Sequence, residues 1–464
     1  MSKSIAVMLV LVLAVSCVIT FLPVKAEAKM IIVPDDYSTI QDAVNVANEG
    51  DTIFIRKGVY EGAENQTLMI NKTLSLKGEN AENTKINLHP LWYEVFIMGQ
   101  SIGWVWANSI QISANDVIIS GFTIDSDGGE IWVTGNETQI TGNIINTDLT
   151  LDGSHQTASE NNLTRRIALT GTYGKAYNNS LENSGIGCYG SYASVFANNI
   201  LGGYLGAGGA ATYNLIYGNI VQDGDGIGIA SVGTIVAKNI IANCRRGVEI
   251  LWGGDNIICG NVISNNQGSG LSKVEGQNNT FFANLVANNS IGVLLGAKAQ
   301  MQGYNTLYRN NFINNTKQVE IGFLDHADQW DNGKEGNYWS DYNGTDADGD
   351  GIGDTPYVMF GYGYREIDPF DITVWDNITI QGDGGSHFYE TIWDNYSDRY
   401  PLMAPFDISR LSVPLPEWAA EEVVHSNLPM PFPTAYVVVA SVIAVVVAGA
   451  GLLVYFKNAS TKQK

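Results

Sequence analysis

Charge is scarce in this chain of 464 residues, with Asp, Glu, Lys and Arg together making up 16%. That excludes a coiled coil, and a hydrophobic share of 45% excludes a disordered chain. Basic residues are scarcer still: 25 Lys plus Arg stand against 47 Asp plus Glu, a net charge of −22. Such a surface is repelled by phosphate backbones, so nucleic acid is a poor partner. There are four cysteines, and Cys17 lies in an N-terminal apolar stretch. The odd remainder, Cys188, Cys244 and Cys259, cannot make a disulfide framework; buried thiols are expected, with at most one bridge. Proline is also sparse, 12 against 51 Gly, and Asn is abundant, which describes turns and short strands.

The two ends carry the longest apolar runs. Lys3, an apolar stretch from Ile5 to Val24 and the small-x-small Ala26-Glu27-Ala28 predict a signal peptide over 1–28. Thr434 to Phe456 has no charged residue and would reach about 34 Å as a helix, enough to span a bilayer. Lys457, Lys462 and Lys464 follow it, so residues 457–464 are expected as a cytoplasmic tail, with everything before the span outside. Pro414, Pro416, Pro429, Pro431 and Pro433 predict an irregular stalk over 409–433. Asn-x-Ser/Thr sequons recurring from Asn65 to Asn395 fit an exported, glycosylated surface.

Between the ends lies a repeat. Asn199-Ile200-Leu201, Asn219-Ile220-Val221 and Asn239-Ile240-Ile241 are 20 residues apart, and Asn261, Asn284 and Asn311 continue the series at 22, 23 and 27. Upstream, Val117 to Ile124 matches Thr138 to Ile145 with a shift of 21, and Gly78 precedes Gly121 by 43, read as two periods. Units of about twenty residues, each divided into short apolar alternations and Gly/Asn turns, predict the coils of an all-β parallel β-helix over 68–321. One coil cannot bury its own inward face, whereas stacking buries it continuously. The recurring Asn is expected to take a left-handed turn position and to bond to its neighbours in the stack. Ser38 and Gln41 predict a capping box for a short amphipathic helix, through Ile40, Ala43, Val44 and Ala47, that closes the N-terminal end within a cap over 31–60.

Ser38-Thr39-Ile40-Gln41-Asp42-Ala43, Gly50-Asp51-Thr52-Ile53 and Gly58-Val59-Tyr60, followed by Asn-rich coils, resemble right-handed parallel β-helix proteins of the pectin-lyase-like superfold. Within that group the chain resembles the NosD-like family. Gly336-Asn337-Tyr338-Trp339-Ser340-Asp341-Tyr342, running into Asp346 to Tyr357, looks like the closing motif of archaeal-type NosD-like surface proteins, and Asp398-Arg399-Tyr400-Pro401-Leu402-Met403 like their terminal signature. The likeness runs from about Ile31 to Phe406 and leaves Val358 to Ser397 as an insertion in a C-terminal cap region over 322–408. The resemblance implies an exported accessory role in copper-site maturation. The residues themselves give copper no support: Met and His are scattered, and His89, His155, His326, His387 and His425 read as surface or turn residues.

Three constellations could carry chemistry. Asp346, Asp348, Asp350 and Asp354, with Gly351 at the sixth position and the Ile352 carbonyl at the seventh, can converge on one hard cation; Ca²⁺ is the expected ion. Tyr357 stands where an EF-hand has its bidentate Glu, so an affinity of order 10⁻⁴ to 10⁻³ M is expected. Asp223 and Asp225 with Arg245 one coil later suggest the paired carboxylates of glycoside cleavage, but the Gly-rich piece must turn a corner, which favours a polar turn. Trp330, Tyr338, Trp339 and Tyr342 offer rings that could stack on sugars or cover the open end of the helix. The expectation is a membrane-anchored extracellular β-helix with a calcium-loaded cap that binds glycan or serves as an envelope component and is not an enzyme. A polysaccharide lyase or hydrolase of the same superfold is the alternative, and a copper-handling accessory protein is third.

Overall fold

Apolar residues alternating over three to five positions can bury one face only against a neighbour carrying the same pattern, and in this chain the neighbour is the next coil. The computed structural model describes residues 27–97, 100–296, 304–322, 328–367, 378–379 and 388–419. Three parallel sheets run the length of the molecule. The first starts at Met30–Val33 and ends at Thr306–Tyr308, with thirteen strands. The second runs from Gly58–Glu61 to Tyr338–Trp339, also with thirteen. The third runs from Leu68–Ile70 to Lys317–Gly322 and continues into Tyr357–Ile367, Phe388–Asp398 and Ile378–Thr379. Each coil contributes one short strand to each sheet, which makes a parallel β-solenoid of the right-handed type, the hand that strand crossovers adopt.

Register is exact through the interior. Ile53 pairs with Leu76, Leu76 with Ile119, and Ile119 with Ile140, all essentially without solvent exposure. The direct pairing of Leu76 with Ile119 corrects one expectation: the 43 residues from Gly78 to Gly121 form a single coil. An antiparallel hairpin, Trp92–Ile97 with Gln100–Trp106, loops out of it.

The Asn repeat is an amide ladder at the corner between the first and second sheets. It runs through Asn143, Asn161, Asn179, Asn198, Asn219, Asn239, Asn261, Asn284, Asn310 and Asn337. Each Asn donates its side-chain and backbone N–H to the Oδ1 of the next, as Asn219 does to Asn239 at 3.0 and 2.9 Å. Where two Asn are adjacent, the parity of burial decides which joins the ladder: Asn198 is buried while Asn199 faces solvent, because Ile200 must point inward to pair with Val221, whereas at Asn178-Asn179 the second joins, with Leu181 pointing inward. At Asn310-Asn311 the first again joins the ladder, while Asn311 pairs with Leu285 and is buried against the Phe406 backbone. The left-handed residue is the one before the ladder Asn, for example Ala197, Lys238 or Arg309. The amide, not the backbone twist, is therefore what requires Asn at this corner.

Helix α1, Ile40–Val46, buries Ile40, Ala43 and Val44 in the same apolar cluster as the first coils. Its N-cap is Thr39, whose Oγ1 accepts from the Asp42 N–H, in place of the expected Ser38 and Gln41 box. Gln41 instead clasps the backbone of Met69, receiving its N–H at 2.9 Å and donating to its carbonyl at 3.2 Å.

The expected stalk begins differently. Residues 406–419 run back along the outer face of the first sheet as a strap. The Phe406 N–H donates to Asn311, Lys238 Nζ donates to the Ile408 carbonyl, and Trp418 meets Tyr192 edge-on at 5.7 Å. Beneath it lie Leu215, Ile235, Ala237 and Cys259, outward residues that are nonetheless buried. Pro414 and Pro416 keep the middle of the strap out of regular helix, between the 3-10 turn Ile408–Arg410 and the helical residues 417–419. The insertion 358–397 is largely the antiparallel pair Tyr357–Ile367 and Phe388–Asp398, joined in parallel to Ile321 and Gly322. The expected signal peptide, apart from its last two residues, and the expected membrane span at 434–456 lie outside the described residues. Among the described residues no helix is long and apolar enough to cross a membrane.

Candidate functional site

Along the outward face of the third sheet the side chains shrink toward the middle. The central row reads Trp132, Thr150, Ala168, Gly187, Gly206, Gly228, Glu249. Gly206 and Gly228, flanked by Gly208, Gly226, Ala230 and Gly247, leave a strip of bare backbone, and a Cβ placed on Gly228 would meet nothing within 4 Å.

Two tyrosines bound the strip on its N-terminal side. The Tyr204 ring lies over Gly185 and the Tyr189 ring over Gly187; a Cβ at either glycine would fall within 2.7 Å of the ring atoms, so only glycine admits these rings. Burial first, and the neighbouring Tyr189 hydroxyl second, push the Tyr204 hydroxyl up to about 12. Tyr189 remains 42% exposed and offers its ring to solvent. On the C-terminal side stand Glu249, held by both its oxygens to Arg246 Nη1, and the exposed Leu251 and Trp252. The strip is thus an open trough with aromatic and carboxylate walls.

The predicted polar turn sits on its rim. Asp223 takes the left-handed conformation and Gly226 turns the corner at φ 92°, where a Cβ would collide with the Arg246 carbonyl. Asp225 accepts from Arg245 Nε at 2.8 Å, both side chains being largely exposed. The turn therefore brings Asp225 and Arg245 together, and leaves Asp223 in the turn itself.

The Asp loop is drawn tight by its own backbone. Asp346 accepts the N–H groups of Gly349, Asp350 and Gly351, and Asp350 accepts that of Ile352. Asp346, Asp348 and Asp350 consequently bring carboxylate oxygens within 4.8 Å of one another. Asp354 is not with them: it accepts from Thr345 Oγ1 at 3.0 Å and from the Ala347 N–H at 2.9 Å. The Ile352 backbone is bridged to Leu402, and Gly353 and Met403 are tied across to Pro401 and Gly351. Three convergent oxygens on a loop held by N–H donors suit a hard cation such as Ca²⁺.

The aromatic set divides. Trp330 and Trp339 are 2% and 1% exposed, and Trp339 is stacked between Phe312 and Tyr357 at 4.5 Å on each side, so neither ring can meet a sugar. Tyr342 packs against the same core and Tyr338 is half-buried in the closing strand. Sequence reasoning missed Tyr189, Tyr204 and Trp252 because the rule sought clustered rings, and these converge only across coils. It also missed His155, Tyr173, Tyr192 and Tyr213, which stack at 4.9, 4.9 and 5.6 Å on one corner. Their faces are spent on one another.

Copper finds no matching donor set here. His89 is held between Asp127 and Glu61, whose bonds raise its pKa above the ordinary imidazole value, and His155 lies on the aromatic stack. Cys188, Cys244 and Cys259 are free and buried, and burial pushes the Cys188 and Cys259 thiols up to about 12. Among the described residues no soft or imidazole ligands converge. His326, His387 and His425 lie outside the described residues.

The A-module of an Azotobacter vinelandii mannuronan C-5 epimerase aligns with 60% of this chain and 91% of its own, at 13% identity and a TM-score of 0.45. A mannuronic acid specific polysaccharide family 6 lyase from human gut microbiota aligns with 62% of this chain and 87% of its own, at 14% identity and a TM-score of 0.46. The probable ABC transporter binding protein NosD of Stutzerimonas stutzeri is 31% identical over 122 residues, 26% of this chain and 25% of that protein. Its counterpart in Pseudomonas aeruginosa is 31% identical over 142 residues, 31% of each chain. The matched region thus spans between a quarter and a third of these relatives. The family model described as periplasmic copper-binding protein (NosD) matches residues 107–344, just over half of the chain, and the chain belongs to the NosD family.

Proposed function

We propose that this protein is an envelope-facing scaffold that binds polysaccharide along the trough of the third sheet. The observation that carries the reading is the bare strip at Gly206 and Gly228 between the exposed ring of Tyr189 and the Glu249 wall. An extended polymer can lie on such a strip, its sugar faces on tyrosine and its hydroxyls on carboxylates. In this reading the rim acids hold the polymer: Asp225 is tied to Arg245 and Glu249 to Arg246, while Asp223 stands exposed in the turn. The family's periplasmic description accords with an outward location, with residues 434–456 as the membrane anchor and residues 457–464 inside. Helix α1 is the N-terminal lid in this reading, and calcium at Asp346, Asp348 and Asp350 steadies the C-terminal cap.

Two measurements test this. A Cβ at Gly228 meets nothing within 4 Å, so Gly228→Trp is expected to fill the strip without straining the backbone. The full-length variant in detergent should keep the wild-type melting temperature and lose about tenfold or more in retardation through polysaccharide-containing gels. Equal retardation of variant and wild type removes the trough. For the cap, isothermal titration of the chelator-treated protein should show Ca²⁺ binding that Asp346→Asn abolishes; no heat on Ca²⁺ addition removes the metal.

A further inference from the structure

The charges around the trough carry more than their number. Three of the guanidinium groups at its margins are already engaged: Arg166 with Asp148 at 3.3 Å, Arg245 with Asp225 at 2.8 Å, and Arg246 with both oxygens of Glu249. A carboxylated polymer is recognised by bidentate arginine, and an arginine whose fork is occupied must break an existing pair to serve. The same face adds Glu130 and Asp152, whose partners are the hydroxyls of Thr150 and Thr170. The walls are therefore net acidic within a chain of charge −22. A polyuronate would bring a like charge on every sugar into that field, which reaches about 8 Å at physiological salt and further at low salt. A neutral sugar gains from the same groups. Its adjacent hydroxyls donate to the acceptor oxygens of Asp225 and Glu249, and its apolar face rests on Tyr189.

We infer that the trough selects an uncharged glycan, a polymer of neutral hexoses, against polyuronates. This rests on the trough being the polysaccharide site. The test is affinity electrophoresis of the full-length protein in detergent at low ionic strength, through gels containing a neutral mannan, a neutral glucan or alginate. At low ionic strength a neutral polymer should retard the protein about tenfold more strongly than alginate, and the gap should narrow as salt is raised to physiological strength and screens the repulsion. Retardation by alginate equal to or above that by the neutral polymers overturns the selectivity while leaving a polysaccharide site standing. Retardation by none of the three removes the site and the selectivity together.

Discussion

Asp398 ends the main amide ladder, and its chemistry follows from what a ladder leaves over. Every ladder Asn passes its N–H groups toward the C-terminal end, so the last, Asn337, needs an acceptor with nothing to pass on. Asp398 Oδ2 supplies it, accepting from the Asn337 backbone at 2.7 Å and from Trp339 Nε1 at 2.9 Å, while Oδ1 takes the Tyr400 N–H. Burial nevertheless outweighs these donors and pushes the carboxyl up to about 6, from an ordinary value of 3.8. Between about pH 4 and 6 the native state therefore holds more protons than the unfolded chain, and the contribution of this group to stability falls as pH rises through that window. Asp398→Asn keeps an acceptor oxygen and removes the titration. Relative to wild type, the variant should gain up to about 3 kcal/mol between pH 4 and pH 7, read by chemical denaturation. A difference that does not vary with pH would show a carboxylate ionised throughout.

At the scale of elements, the solenoid was legible and its corners were not. Short alternating runs punctuated by Asn and Gly gave the coils, and the 21-residue shift from Val117 to Thr138 is the true register. Counting Asn-apolar-apolar units misplaced Asn199 and Asn311 by one residue, because parity of burial, not the letter, sets which Asn turns inward. A finer signal lay unread: Asn256, Asn261 and Asn266, then Asn279, Asn284 and Asn289, then Asn305, Asn310 and Asn315, three Asn per coil at intervals of five. Each set places an amide at all three corners, and the two flanking ladders end on Asp328 and Gln318. The trough was illegible because its floor is an absence of side chains spread over coils. The strap was equally hidden, since only the stacked sheet creates the apolar face it covers. That face gives a test. Cys259 is buried beneath the strap, and Leu411 lies beside Gly260. Leu411→Asp with Trp418→Ala should open Cys259 to a maleimide under native conditions, while Cys188 in the solenoid interior stays unlabelled. Protection of Cys259 equal to that in wild type would mean that the strap does not cover it.

Over the whole molecule, stability is additive along the axis, because each coil touches only its neighbours. The terms being added differ from end to end. The coils before Asn143 carry no rung of the main ladder, and one of them is stretched to 43 residues by its hairpin. The coils from Asn256 to Asn315 carry three ladders at once, with buried amides bonded on both sides at every corner. Buried amides in series polarise one another when satisfied and are costly when any is broken, so opening this segment must break several bonds together. Amide exchange should therefore grade along the solenoid: the strands Ser75–Gly78 and Thr84–Leu88 exchange earliest, and Ile257–Cys259, Val262–Ser264 and Thr280–Phe282 last. In Asn284→Ala, which breaks the central rung, protection should drop at Val262–Ser264 and Leu285–Ala287 by about two orders of magnitude, with Ser75–Gly78 unchanged. Uniform exchange from end to end, or loss of protection at both ends in the variant, would show the solenoid opening as one unit, with its ladders contributing nothing local.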